Sequence, residues 1–250
     1  MTALAIRAVA ALTILLLAGA GEAVAQSRNS LVVGPAVLVR QKAWAGAGAD
    51  VIAVPWIEAR FGRFALRGLQ ASYELGGAGS LRLSAIGNAR LGGVEPDDLE
   101  PRLELFEREP TLELGLSATL PVGSFRISAE ASADALGRHG GWDGGLRVAR
   151  PLRAGRLMLI PAAGVRYWSS DLASFEYGLE PGEAGFADGW IVESTFIPEL
   201  SVAGSFALGP KWSVVGFARA ARLGSAITDS PIVERSSETI AGIALARRIR

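Results

Sequence analysis

Apolar and polar residues take turns along most of this chain, and the period is two. Over residues 124–135, Phe125, Ile127, Ala129, Ala131, Ala133 and Ala135 fall on one side of an extended chain, with Ser124, Arg126, Ser128, Glu130, Ser132 and Asp134 on the other. A helix, repeating every ~3.6 residues, would mix the two sets. Residues 111–120 behave alike, setting Leu112, Leu114, Leu116, Ala118 and Leu120 against Thr111, Glu113, Gly115, Ser117 and Thr119. Pro121-Val122-Gly123 separates the two runs as a hairpin turn. Noisier runs over 31–39, 51–60, 64–75, 81–91, 145–151, 156–168, 196–208, 212–223 and 239–249 bring the total to eleven.

Many of these runs exceed the ~5–6 residues common in soluble strands and match a tilted strand that crosses a bilayer. The fold they predict is all-β, an antiparallel transmembrane β-barrel with one face of each strand toward lipid. Bacterial single-chain barrels have even strand numbers, so one element is missing from a count of eleven. Its expected place is between residues 31 and 63, giving about 12 strands, with about 10 as the alternative.

Counting back from the carboxyl end puts 225–236, 169–190, 137–142 and 92–110 outside the cell. Residues 209–211, 153–155, 121–123 and 76–80 become periplasmic turns. Trp56, Tyr73, Tyr167, Trp168 and Trp212 lie near strand ends, where aromatic girdles form at the membrane interface. Arg82, Arg126, Glu130 and Arg166 are predicted to fill a narrow interior, where buried charges need partners.

The amino terminus reads differently. Arg7 and the apolar run 8–20, followed by Ala23-Val24-Ala25, have the order of an export signal. Cleavage is expected after Ala25, so residues 1–25 are a signal peptide and 26–250 the barrel. Removing Arg7 and Glu22 leaves the formal charge at zero, with no basic excess to attract nucleic acid. With no cysteine, a thiol nucleophile, a disulfide and a Cys-based zinc site are all excluded. Half the residues are hydrophobic, yet after Ala20 no stretch is long enough for a helical span, and 31 glycines suit many tight turns.

Candidate chemistry is sparse. The single histidine, His139, stands in Gly137-Arg138-His139-Gly140-Gly141-Trp142-Asp143, and Ser169, Ser170 or Asp171 are potential partners in an outer-membrane acyl hydrolase. A lone histidine in a glycine-rich turn is more often an ordinary loop residue. Glu95, Asp97, Asp98 and Glu100, before Glu104, Glu107 and Glu109, offer oxygen ligands for divalent cations. They lack the ordered spacing of a calcium loop, so a solvated acidic loop is the better reading and no metal site is assigned. Gly46-Ala47-Gly48 lacks the following Lys-Ser or Lys-Thr of a phosphate loop, and no cofactor is expected.

At 228–234 the chain reads Thr-Asp-Ser-Pro-Ile-Val-Glu, after a run opening Trp212-Ser213-Val214 and before a final strand. Phe61-Gly62-Arg63-Phe64, Leu66-Arg67-Gly68-Leu69, His139-Gly140-Gly141 and Tyr177-Gly178-Leu179 precede it in order. This arrangement resembles the MipA/OmpV family of outer-membrane proteins, the MltA-interacting proteins, over most of the mature chain. The motif residues are Asp229, Ser230, Pro231, Ile232, Val233 and Glu234, with His139 and Gly140. Read without the resemblance, Asp229 and Ser230 cap a polar turn and Pro231 stiffens it. The ending Ala246-Arg247-Arg248-Ile249-Arg250 departs from the aromatic terminus usual in this class.

The resemblance implies a protein of the cell outer membrane, in contact with its lipid and lipopolysaccharide, that is a non-enzymatic scaffold. Its implied partners are a periplasmic murein synthase and a lytic transglycosylase. The other readings are a small-solute or antibiotic entry channel and the acyl hydrolase.

Overall fold

A computed structural model describes residues 29–91 and 105–249. The expected signal peptide and most of the acidic loop lie outside the described residues. The strands are β1 (Asn29–Gln41), β2 (Ala49–Phe61), β3 (Phe64–Arg67), β4 (Gln70–Gly76), β5 (Arg82–Arg90), β6 (Thr111–Val122) and β7 (Phe125–Asp134). They continue as β8 (Trp142–Ala149), β9 (Leu152–Ala154), β10 (Leu157–Trp168), β11 (Thr195–Ala207), β12 (Trp212–Arg222) and β13 (Ser237–Arg248). Sequence neighbours pair antiparallel, and β1 closes the sheet on β13. β8 and β9 lie end to end against the same strand, β10, interrupted at Arg150-Pro151. Together they make one stave, so the barrel is closed and twelve-stranded.

The missing stave is not between residues 31 and 63, where β1 and β2 pair without a break from Asn29↔Phe61 to Gln41↔Ala49. It lies in 64–75, a run expected to be one strand. Gly68, at φ +54°, turns the chain so that Arg67 faces Gln70 and Phe64 faces Tyr73. The sequence carries the mark of that turn. Apolar positions are even at Phe64 and Leu66 and odd at Leu69, Ala71, Tyr73 and Leu75. A change of parity within one extended run means a reversal or a bulge.

Val37, Val39, Val51, Leu112, Leu114, Leu116, Leu200 and Ile243 are exposed on the outer wall, while Thr111, Glu113, Ser132, Asp143 and Arg166 are buried inside. That inversion of the usual soluble pattern is what a lipid solvent selects. Gly62-Arg63, 77–81, Gly123-Ser124, Gly155-Arg156 and 208–211 are short turns at the end that also holds both strand termini. By the loop-length rule this end faces the periplasm, and the long connections 42–48, 135–141, 169–194 and 223–236 face outward.

The girdle is partly different from expectation. Tyr73 and Trp212 are exposed near the periplasmic rim, and Tyr167 joins Trp142 and Phe196 on the outer wall, with ring centroids 5.0 Å apart in both pairs. Trp56 and Trp168 instead point inward. Both occupy even positions on strands whose even residues face the lumen, and Trp56 is buried against Phe217.

Candidate functional site

Inside the barrel, an apolar belt built on Leu38, Trp56, Ile160, Val215, Phe217 and Ile240 separates two unlike ends. Toward the cell exterior the lumen is filled with charge. Arg90 Nε donates to Glu113 Oε1 at 2.6 Å and Nη1 to Glu176 Oε1 at 3.0 Å, and Asp143 Oδ2 lies 3.8 Å from Nη2. Arg166 donates from Nη1 to Glu130 at 2.8 Å and from Nη2 to Asp143, whose other oxygen accepts from Ser132 Oγ at 2.7 Å. Arg166 and Glu130, both expected inside, thus partner each other, whereas Arg82 is exposed. Buried charges survive in such a setting only when each has partners of this quality.

Above the charged layer the outer loops fold into the mouth. Helix α1 (Ser170–Tyr177) follows the N-cap Ser169, whose Oγ accepts from Leu172 N at 3.4 Å and Trp142 N at 3.0 Å. Its buried Leu172, Ala173 and Tyr177 face inward, and Tyr177 stacks on Trp168 of β10. Gly141 makes room for this helix. A Cβ there would lie 2.5 Å from Leu172 N and 2.7 Å from Ser169 Oγ, so a side chain would displace the helix start.

The Thr-Asp-Ser-Pro-Ile-Val-Glu segment begins on the last residue of the one-turn helix α2 (Ser225–Thr228) and ties three loops together. Asp229 ends that helix, while Pro231 is exposed. Ser230, expected to cap its own turn, instead donates to Tyr177 O at 2.6 Å, across to the end of α1. Ile232 is 1% exposed and its carbonyl accepts from Ala45 N at 2.9 Å; Val233 forms a β-bridge with Trp44. Glu234 donates its N–H to Ala43 O at 2.8 Å and accepts at Oε2 from Gly46 N at 3.2 Å. Ala43, Trp44, Tyr177, Leu179, Ile227 and Ile232 thus share one apolar cluster over the charged layer.

A second clamp, outside the strands, joins the end of the acidic loop to this plug. Glu183 is buried and takes both terminal nitrogens of Arg108, Nη1 at 2.9 Å and Nη2 at 2.6 Å. It also accepts from the N–H groups of Phe106 and Glu180, each at 2.5 Å. Burial alone would raise its pKa, but Arg108 and these two amides outweigh that and hold it below the ordinary carboxylate value. Neither Arg108 nor Glu183 carried a motif. Only their burial, invisible in sequence, marks them.

The hydrolase arrangement is not assembled. His139 Nδ1 accepts from Gly141 N at 3.0 Å, and Nε2 lies 3.4 Å from Glu113 Oε1. Its ring packs on Phe175, and the backbone N–H groups of His139 and Gly140 donate to the Asp134 carboxylate at 2.7 and 2.9 Å. Ser169 is the helix cap, Ser170 Oγ donates to Val192 O at 2.7 Å, and Asp171 is exposed. Glu95, Asp97, Asp98, Glu100 and Glu104 lie outside the described residues. Glu109 pairs with Arg138, and no group of metal-ligating side chains occurs among the described residues.

The profile of the family described as MltA-interacting protein MipA matches residues 33–249. The chain belongs to that family. Its MipA-family relatives include MltA-interacting protein of Escherichia coli K12, 27% identical over 232 residues, covering 90% of this chain and 92% of that one. The putative outer membrane protein YiaT of the same organism is 25% identical over 213 residues, 83% of this chain and 86% of that one. Outer membrane protein Omp26La of Vibrio anguillarum is 28% identical over 141 residues, and the match spans 56% of this chain and about half, 55%, of Omp26La. An outer membrane channel from Pseudomonas putida F1 superposes with a TM-score of 0.43 at 10% identity, covering 92% of this chain and 99% of the channel. By its family and its own closed sheet, this MipA-family chain is an outer-membrane β-barrel protein.

Proposed function

We propose that this barrel is a non-enzymatic envelope scaffold that holds a murein-synthesising and a murein-cleaving enzyme at its periplasmic face. The observation that carries the reading is kinship, across nearly the whole length of both chains, with a protein named for its interaction with MltA. The filled outer mouth supports it, because a barrel closed to the exterior does its work on the periplasmic side. In this reading Asp229 to Glu234 with His139 and Gly140 are structural: they fasten the loops that close the mouth. Lipid and lipopolysaccharide surround the barrel as solvent.

Crosslinking in intact envelopes, followed by mild extraction and identification of attached proteins, tests the scaffold. A lytic transglycosylase and a murein synthase are the expected recoveries. Finding neither, while other outer-membrane complexes survive the same extraction, overturns the reading. The channel reading rests on the inward charges of the outer half, which resemble a selectivity lining. Discrete conductance steps of the wild-type barrel in planar bilayers favour it over the scaffold.

A further inference from the structure

The periplasmic end of the lumen is an open cup of about 330 Å³, at the small end of the range for small-molecule sites. Its floor is apolar, formed by Val32, Trp56, Met158 and Val215. Its wall is basic: among the described residues Arg60, Arg67, Arg153, Arg156, Lys211 and Arg248 line it, against one acid, Glu58. Strand alternation explains why these side chains face the cup rather than lipid. Arg60 is on the parity of Val54 and Trp56 in β2, and Arg67 pairs with Glu58 across the β2–β3 ladder. Arg248 shares the parity of the buried Ala244 and Ala246 in β13, and Arg153 pairs with inward Met158. At the floor, the indole N–H of Trp56 is buried and makes no well-formed hydrogen bond, although Glu58 lies beside it.

Six cations around one acid in a cavity concentrate anions, since field lines are focused by low-dielectric walls. Their distribution says which anion. They come from β2, β3, β9, the β9–β10 turn, the β11–β12 turn and β13, so they are spread around the cup and do not sit on one loop as a phosphate cradle does. A ligand that meets them has several anionic groups spaced along a chain, with aliphatic parts that rest on the apolar floor. Five of the six are arginines, whose planar forks match carboxylates in paired hydrogen bonds. The cup opens away from the lipid-facing wall and from the exterior, so its ligand is periplasmic.

We infer that the cup binds a short peptide bearing several free carboxylates, the chemistry that murein stem peptides present in this compartment. The inference does not need the scaffold: it concerns a ligand of the barrel itself and stands if no enzyme is recovered.

The test is calorimetric titration of the full barrel in detergent micelles with the soluble stem tetrapeptide alanyl-γ-D-glutamyl-diaminopimelyl-D-alanine. Saturable binding is expected, weakened about tenfold or more when the peptide carboxylates are amidated. The double variant Arg153→Gln with Arg156→Gln, both exposed, one on the short strand β9 and one in the turn after it, is expected to weaken binding by a similar factor. Lys211→Gln, in a different exposed turn, supplies a second measurement, with a smaller loss, about three- to fivefold. Retention of the heat-resistant folded band on gels shows that each variant still forms the barrel. Equal affinity for the amidated peptide, or no change in both variants, overturns the proposal. Inorganic phosphate competing mole for mole overturns it in favour of a general anion site. Tetraglutamate competing as well as the stem peptide overturns the murein source and assigns the cup to acidic protein segments.

Discussion

The two ends of this lumen handle arginine in opposite ways. In the outer half, Arg90 and Arg166 are buried among Glu113, Glu130, Asp143 and Glu176, and the loops close over them. In the periplasmic half, the described residues put six cations and one acid around an open cup. Both ends are built on the same period-two alternation, so alternation alone does not separate a structural interior from a receptive one. Charge balance does. A matched set locks the wall, whereas an excess of one sign in an open cavity raises the local concentration of ions of the other sign.

The sharpest way to break this contrast is to unbalance the outer half. Asp143 is 1% exposed and serves Arg166, Arg90 and Ser132 together. Asp143→Ala leaves two buried guanidinium groups short of a partner, and removal of one member of such a set costs about 3–5 kcal/mol. Urea unfolding of the barrel in lipid vesicles is expected to show that loss, while Arg153→Gln in the cup leaves the midpoint within about 0.5 kcal/mol of wild type. If both variants unfold alike, the two ends are not energetically different.

Next in size is the plug. Ile232→Ala empties a fully enclosed site in the outer cluster, at an expected cost of about 2–4 kcal/mol. The cost falls on the loops and not on the wall. Proteases added to intact cells are then expected to cut within 169–194 or 223–236 while the barrel keeps its heat-resistant band. A variant that remains uncut would show that Ile232 does not hold the mouth closed.

How much of this was legible beforehand differs by level. The strands 111–122 and 125–134 were readable because lipid enforces a strict two-face code there. The β3–β4 hairpin was missed because its reversal costs only two residues, and the parity switch at Gly68 is quieter than a loop. Nearness to strand ends suggests the girdle for Trp56 and Trp168, whereas strand parity places them inside. Ser230 reads as a local cap because its partner, the Tyr177 carbonyl, is 53 residues away in sequence. The cup was least legible of all: its cations are scattered from Arg60 to Arg248, and only barrel closure, joining β13 to β1, brings them to one mouth.

Gly141 tests whether the helix in the mouth depends on the motif before it. Gly141→Ala pushes a methyl group against Leu172 N and Ser169 Oγ, and overpacking of this kind costs about 1–3 kcal/mol. The helix is the part free to move, because Gly141 lies next to a strand paired on both sides. The expected readout is faster amide exchange over 170–177 with unchanged exchange in β7 and β10. Uniform loss of protection across the wall would instead make Gly141 a barrel residue.

The smallest expected effect is on pH, and it acts on the plug alone. Glu183 is ionised in its clamp, with a folded-state pKa held below its ordinary value of 4.5 by Arg108 and the amides of Phe106 and Glu180 after burial has worked the other way. A carboxyl with a depressed folded pKa binds protons more readily in the released loop than in the clamped one. Its contribution is therefore full above 4.5 and is withdrawn as pH falls through the lower folded value. Exchange of the Phe106 and Glu180 amides is expected to accelerate, beyond its intrinsic pH dependence, as the medium is acidified through that window. Glu183→Gln should abolish that pH dependence while loosening the clamp at neutral pH, because a neutral amide cannot replace a carboxylate that accepts from both arms of Arg108. If the variant keeps the wild-type acid response, the outer end is held by other groups, and the division between a self-satisfied mouth and a receptive cup must be redrawn around them.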